Sequence, residues 1–146
     1  MTAAPDFSLA TEEGGRFTRA ELLGQTTVLV FYPFAFSPVC TDQLNLYQDA
    51  ISDFKKQGAS LYGISVDSAF SHKAFQEHLG IEFPLLADFE PKGEVARKYG
   101  MYMEKHGTNE RGFVVIDADG KVKHVHKSPS PLEIPAASLI FDALGA

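Results

Sequence analysis

Residues 26–32, TTVLVFY, form an unbroken apolar run rich in β-branched and aromatic side chains. A run of this kind, without polar alternation, is the pattern of a strand covered on both faces, so it predicts the centre of a sheet flanked by helices. Pro33 ends the run, because proline offers no N–H to a ladder. The loop FAFS then leads to Pro38, a residue suited to the first turn of a helix. From Val39 to Gln57 the apolar residues Leu44, Tyr47, Ile51 and Phe54 recur at helical spacing, with Gly58 as the stop. The only cysteine of the chain, Cys40, therefore falls in the first turn of that helix, just past the end of the central strand.

The rest of the chain alternates. SLYGISVD (60–67) reads as a second buried strand, Asp67 or Ser68 as the cap of a helix over Phe70 to Leu79, and FPLLAD (83–88) as a third strand. PKGEVARKYG (91–100) reads as a short helix, and GFVVID (112–117) with KVKHVHK (121–127) as a hairpin around Ala118, Asp119 and Gly120. A closing helix is expected over Pro135 to Leu144, with Ala136, Leu139, Ile140 and Ala143 inward. DFSLA and GRFT near the N-terminus suggest a small extra hairpin. Strand and helix alternation followed by a hairpin implies a mixed sheet with helices on both faces, an α/β fold of thioredoxin-like arrangement with an N-terminal hairpin extension. In such sheets the chemistry lies at the carboxyl ends of the strands, and the loop 33–40 leaves one of them.

Composition narrows the function. With 45% hydrophobic residues, no shift in composition and no repeat, the 146 residues are expected to form one domain, 1–146. The net charge of −6, with Lys and Arg spread along the chain, argues against a nucleic-acid partner. MTAAPDFSLA lacks the basic and apolar regions of a signal peptide. No apolar run reaches the length of a membrane span, about 20 residues. A cytoplasmic protein with no membrane partner is therefore expected. One cysteine rules out an intramolecular disulfide.

A cysteine at a helix N-terminus faces unpaired N–H groups and the positive end of the helix dipole, which favour the thiolate. On position alone Cys40 is also compatible with an inert core residue, since free cysteine is among the most buried types. Its companions decide between these readings. Pro33, Ser37 and Cys40 are spaced P-x-x-x-S-x-x-C, which resembles the hallmark of the peroxiredoxins. APDFSL (4–9), VLVFYP (28–33), VCTDQL (39–44), GISVD (63–67), FPLLAD (83–88) and RGFVVIDADGKV (111–122) extend the resemblance over nearly the whole chain.

The resemblance implies that Cys40 attacks the terminal oxygen of a hydroperoxide. It implies further that Pro33 shields the sulfur, that the Ser37 hydroxyl bonds thiolate and peroxide, and that Arg111 holds both. Taken alone, Pro33 only ends a strand, Ser37 only caps a helix and Arg111 is a surface arginine. Val39 adds a backbone N–H, Phe34 with Tyr32 and Phe36 offers an apolar wall toward alkyl hydroperoxides, and Gln43, one turn after Cys40, either donates to the site or orients Arg111 or equally occupies a solvated helix position. Those aromatic residues equally suit the core or a subunit interface, and a homodimer paired beside this loop is implied. His124 and His126 alternate on one strand face without a third ligand nearby and read as exposed strand residues. Neither a metal nor another cofactor is called for.

Lowering a thiol pKa from about 8.5 to about 6 raises the thiolate fraction at pH 7 about thirtyfold, roughly 2 kcal/mol. The less basic thiolate is a poorer nucleophile by about tenfold if the Brønsted slope for disulfide exchange applies. Most of the rate must therefore come from aligning the peroxide and polarising its O–O bond. The sulfenic acid so formed must return to thiol. Some relatives carry a resolving cysteine five residues on, where this chain has Asn45. The chain thus resembles one-cysteine peroxiredoxins of the bacterial alkyl hydroperoxide reductase E type. Its reductant must be an external thiol: thioredoxin, a glutaredoxin-like protein or a low-molecular-weight thiol. A redox sensor using the same sulfenate, or a binding module with an inert Cys40, are the competing readings.

Overall fold

A computed structural model describes residues 2–145. In chain order the elements begin with β1 (Thr2–Ala3), β2 (Ser8–Thr11), β3 (Arg16–Thr18), a 3₁₀ turn (Arg19–Leu22) and β4 (Thr26–Phe31). There follow α1 (Pro38–Asp49), α2 (Ile51–Lys56), β5 (Ala59–Ser65), α3 (Ala69–Leu79), β6 (Leu85–Ala87) and α4 (Glu94–Lys98). The chain closes with β7 (Tyr102–Met103), β8 (Thr108–Asn109), β9 (Gly112–Ile116), β10 (Lys121–Lys127) and α5 (Ala137–Gly145).

The apolar run becomes β4, and Val28 through Tyr32 are all 0% exposed. The two-residue period of a strand sends Val28, Val30 and Tyr32 into one apolar cluster and Leu29 and Phe31 into the other. Burying side chains of this size contributes about 1.5–3 kcal/mol each, which makes β4 the shared wall of both cores. The eight-stranded sheet runs β1-β10-β9-β4-β5-β6-β2-β3, parallel from β4 to β6 and antiparallel at β9 and β10. The hairpin of β2 and β3 is present and extends the β6 edge. Both crossovers, β4 to β5 and β5 to β6, step the same way across the sheet, so right-handed connections place their helices on one face. Accordingly Leu44, Phe54 and Phe75 share a cluster, joined by Ile140 and Ala143 of α5. Leu22, Val95, Ala96 and Tyr99 cover the opposite face.

Several details depart from the periodicity. The helix expected over 39–57 is two helices, interrupted at Ala50 (φ −98°, ψ 7°), whose N–H turns back to the Tyr47 carbonyl at 3.1 Å. The apolar spacing continues across the interruption because Leu44 and Phe54 still face the same core. The closing helix starts later than expected; Ile140 and Ala143 face inward, but Ala136 and Leu139 are exposed, and Phe141 packs on Phe54 at 4.6 Å instead. Ser68, not Asp67, caps α3, its hydroxyl accepting the Ser71 N–H at 3.2 Å. No helix among the described residues is long and apolar enough to cross a membrane.

Candidate active site

Two registers bring the site together at the carboxyl end of β4. Opposite Phe31 in the antiparallel ladder stands Gly112, so Arg111 lies just beyond the end of β4, beside the loop that leads into α1. Gly112 lies so close to β10 that a Cβ there would run into the His126 carbonyl oxygen, which makes glycine a requirement at this position. From the other side, β5 ends at Ser65 and presents Asp67 to the loop.

The loop 33–37 is held at three points. The Ala35 N–H donates to Asp67 Oδ2 at 2.7 Å, the Ser37 hydroxyl donates to the Phe34 carbonyl at 3.1 Å, and the Phe36 ring lies 4.9 Å from that of Phe75. Phe36 adopts a left-handed conformation with φ 67°. Such a backbone is unusual for a bulky residue, and its surroundings must enforce it. Pro38 is the first residue of α1, where its missing N–H costs nothing, and Cys40 is the third. The first backbone bond of the helix runs from Thr41 N–H to the Ser37 carbonyl at 2.9 Å, so the Val39 and Cys40 amides precede the ladder.

Cys40 is 0% exposed, and its sulfur accepts a hydrogen bond from Arg111 Nη2 at 3.3 Å. Arg111 is itself buried; its Nη1 donates to Gln43 Oε1 and its Nε to the Pro131 carbonyl at 2.6 Å. Gln43 is fully buried, and its amide nitrogen lies 3.5 Å from the Tyr47 hydroxyl, which donates to the Pro135 carbonyl at 2.7 Å. Burial pushes the Tyr47 hydroxyl up to about 12, which keeps it a donor. A buried guanidinium is costly unless matched by charge, and the other two acceptors of Arg111 are uncharged oxygens. The Cys40 sulfur is the acceptor able to carry a negative charge.

Of the residues singled out in the sequence, Cys40, Arg111 and Gln43 are in direct contact. Pro33 and Val39 are half-buried, Val39 next to Cys40 in the chain, and Ser37 is the residue before the helix. Ser37 does not cap α1 with its side chain: its hydroxyl points back to Phe34 instead. The expected aromatic wall is divided, since Tyr32 is buried in the core while Phe34 and Phe36 are 44% and 51% exposed. The rings of His124 and His126 stack on Phe113 at 5.7 and 5.3 Å. Tyr47 and Asp67 escape the sequence reading as site residues. Tyr47 stands at i+4 from Gln43, a spacing that signals contact on a helix, whereas the reach of Asp67 to Ala35 leaves no local signal.

A second buried polar cluster adjoins the loop. The Ser65 hydroxyl lies 2.6 Å from Asp67 Oδ2 and 2.6 Å from His72 Nε2, and His72 is 0% exposed. Its Nδ1 is buried with no hydrogen-bond partner among the described residues.

Residues 1–125 match the model of the AhpC/TSA family. Alkyl hydroperoxide reductase E of Mycobacterium tuberculosis is 34% identical over 144 residues, covering 98% of this chain and 94% of that protein. A peroxiredoxin of Thermoplasma volcanium is 39% identical over 126 residues, 82% of this chain, and the match spans 61% of the relative's length. Among solved structures, AhpC of Enterococcus faecalis superposes with a TM-score of 0.89 at 27% identity, covering 99% of this chain and 92% of that one. Peroxidoxin BcpB of Mycobacterium tuberculosis gives 0.82 at 31% identity, with 98% and 92% covered. With a lone cysteine at a helix start, a buried arginine on its sulfur and these likenesses along nearly its whole length, the chain belongs to the AhpC/TSA family of peroxiredoxins.

Proposed function

We propose that residues 1–146 act as one domain that reduces hydrogen peroxide and alkyl hydroperoxides by a one-cysteine peroxidase cycle. The observation that carries this reading is the hydrogen bond from buried Arg111 to the Cys40 sulfur, in a cluster that among the described residues gives the guanidinium no carboxylate. The Cys40 thiolate attacks the terminal oxygen of the peroxide along the O–O axis. That bond breaks, the sulfur takes the oxygen, and the leaving oxygen takes a proton and departs as alcohol or water. Arg111 stabilises the charge that moves from sulfur to the leaving oxygen. The Ser37 hydroxyl rotates from the Phe34 carbonyl onto the peroxide, and the Val39 and Cys40 amides donate beside it. Pro33 screens the sulfur from water, Gln43 fixes the guanidinium plane, and Phe34 offers apolar contact to an alkyl group.

The chain has no second cysteine, so the sulfenic acid is returned by an external thiol. The first equivalent forms a mixed disulfide and releases water, and the second restores Cys40 and leaves as the disulfide. Thioredoxin, a glutaredoxin-like protein and a low-molecular-weight thiol are the candidate donors. A cytoplasmic location supplies such thiols. A homodimer is supported by the exposed rings of Phe70 and Phe89, which line one groove at this end of the sheet. Exposed apolar surface of this kind suits a protein interface.

The chain has no tryptophan, so sulfenate formation is followed by rapid quenching and trapping, with hydrogen peroxide and an alkyl hydroperoxide as substrates. Oxidation far faster than that of a free thiol, with sustained turnover on at least one donor, is the expected result. A rate no better than a free thiol sinks the peroxidase reading; fast oxidation without turnover on any donor favours a sensor.

A further inference from the structure

His72 presents a polar atom where an apolar residue would suit the core better. Its ring is fully buried and lies 6.3 Å from the Tyr32 ring, and Nδ1 has no partner among the described residues. Leaving such an atom unbonded costs about 1–3 kcal/mol. The protons of the cluster explain what that cost maintains. Ser65 has one hydroxyl hydrogen and two short contacts, to Asp67 Oδ2 and to His72 Nε2. An ionised carboxylate only accepts, so the hydroxyl donates to Asp67 and must accept from His72, which places the imidazole proton on Nε2. The same Asp67 Oδ2 accepts the Ala35 N–H at 2.7 Å, within the loop between Pro33 and Ser37.

We propose that His72, Ser65 and Asp67 form a one-directional hydrogen-bond relay that positions the catalytic loop, with His72 as its terminal donor and the Ala35 amide as its load. Each member fixes the next: His72 orients the Ser65 hydroxyl, Ser65 fixes one oxygen of Asp67, and that oxygen fixes Ala35. Phe36, in its left-handed conformation, and Ser37 follow directly in the chain, so the relay sets where the Ser37 hydroxyl begins. The charged and titratable groups around His72 are few. Asp67 lies 4.0 Å from Nε2, and Tyr32 faces the ring, its hydroxyl held protonated chiefly by burial. Burial holds the imidazole neutral, pushing it down to about 4 against the pull of Asp67, so the relay keeps its direction through the neutral range.

This inference rests on the peroxidase reading for its rate measurement but not for its structural one. The test compares Asp67→Ala, Asp67→Asn, His72→Phe and His72→Gln for sulfenate formation with hydrogen peroxide and for hydrogen exchange of the Ala35 amide. Because misplacing a reacting group by about 1 Å can cost about a hundredfold, Asp67→Ala is expected to slow oxidation about tenfold or more and His72→Phe several-fold. Asparagine keeps an acceptor and glutamine keeps a donor, so each is expected to recover most of its partner's loss. The Ala35 amide should exchange faster in the alanine and phenylalanine variants alone. Rates and exchange within twofold of the unaltered chain in Asp67→Ala and His72→Phe overturn the relay, as does a His72→Gln variant as slow as His72→Phe. If Asp67→Ala does not fold, the two His72 variants decide. If the unaltered chain does not react with peroxide, the peroxidase reading fails, and Ala35 exchange still decides the relay.

Discussion

Arg111 and Asp67 each carry a charge to the carboxyl end of the sheet, on opposite flanks of β4. Arg111 is 3% exposed and surrounded by the carbonyl oxygens of Gln43 and Pro131, neither of which neutralises it. Asp67 keeps 18% of its side chain exposed and shares one oxygen between a hydroxyl and a backbone amide. The guanidinium thus retains charge for the sulfur, whereas the carboxylate is occupied by groups that do not react. The first arrangement suits chemistry and the second suits holding a loop, although both are polar clusters at the edge of the same core.

Substitutions on the arginine flank have the largest expected effects. Cys40→Ser is expected to abolish sulfenate trapping, and Arg111→Ala to slow oxidation by about 10²–10³, the scale for losing one oxyanion-type donor. Arg111→Lys should recover little of that rate, since a point charge cannot serve three acceptors in fixed directions. On the aspartate flank, besides the slower oxidation expected of the relay variants, an effect on stability is expected. His72 is held down at about 4 in the folded chain, below its ordinary 6.5, so the unfolded chain binds the extra proton first as pH falls. The contribution, on the order of 3 kcal/mol, is present above pH 6.5 and lost as pH falls toward 4. Denaturant titrations at pH 7 and pH 4.5 should therefore show a smaller pH penalty for His72→Gln than for the unaltered chain.

Gln43→Leu leaves one guanidinium nitrogen without its acceptor. The loss should cost about 1–3 kcal/mol, visible both in the melting transition and in a roughly tenfold slower oxidation. Phe34→Ala sharpens the contrast from outside. Its exposed ring should cost no more than about 0.5 kcal/mol of stability. Oxidation by hydrogen peroxide should stay within twofold, while oxidation by a bulky alkyl hydroperoxide falls about threefold, read in parallel quench experiments.

Local pattern carries the central features: the run 26–32 marks β4, and Pro33, Ser37 and Cys40 mark the loop and helix start. What periodicity misses lies across long separations. Asp67 reaches Ala35 from 32 residues away, and Arg111 reaches Pro131 from 20, and neither contact imposes a spacing on its neighbours. Asp67 and Ser68 both read as caps because a carboxylate or a hydroxyl before a helix fits that role; Ser68 fills it, which frees Asp67 for the loop. Tyr47 carries an apolar ring that satisfies helical spacing and a hydroxyl that only the fold can place against Pro135. The two-residue strands β1, β7 and β8 are too short for alternation to register.

Gly112 gives the arginine flank its narrowest tolerance. The atom that a larger residue would add meets main chain, the His126 carbonyl, rather than a side chain that could swing aside. A single methyl group there would act as a wedge, prising β9 from β10 within one residue of the guanidinium. The aim of Arg111 on the sulfur thus depends on a gap the width of one carbon, in a strand that never touches the peroxide.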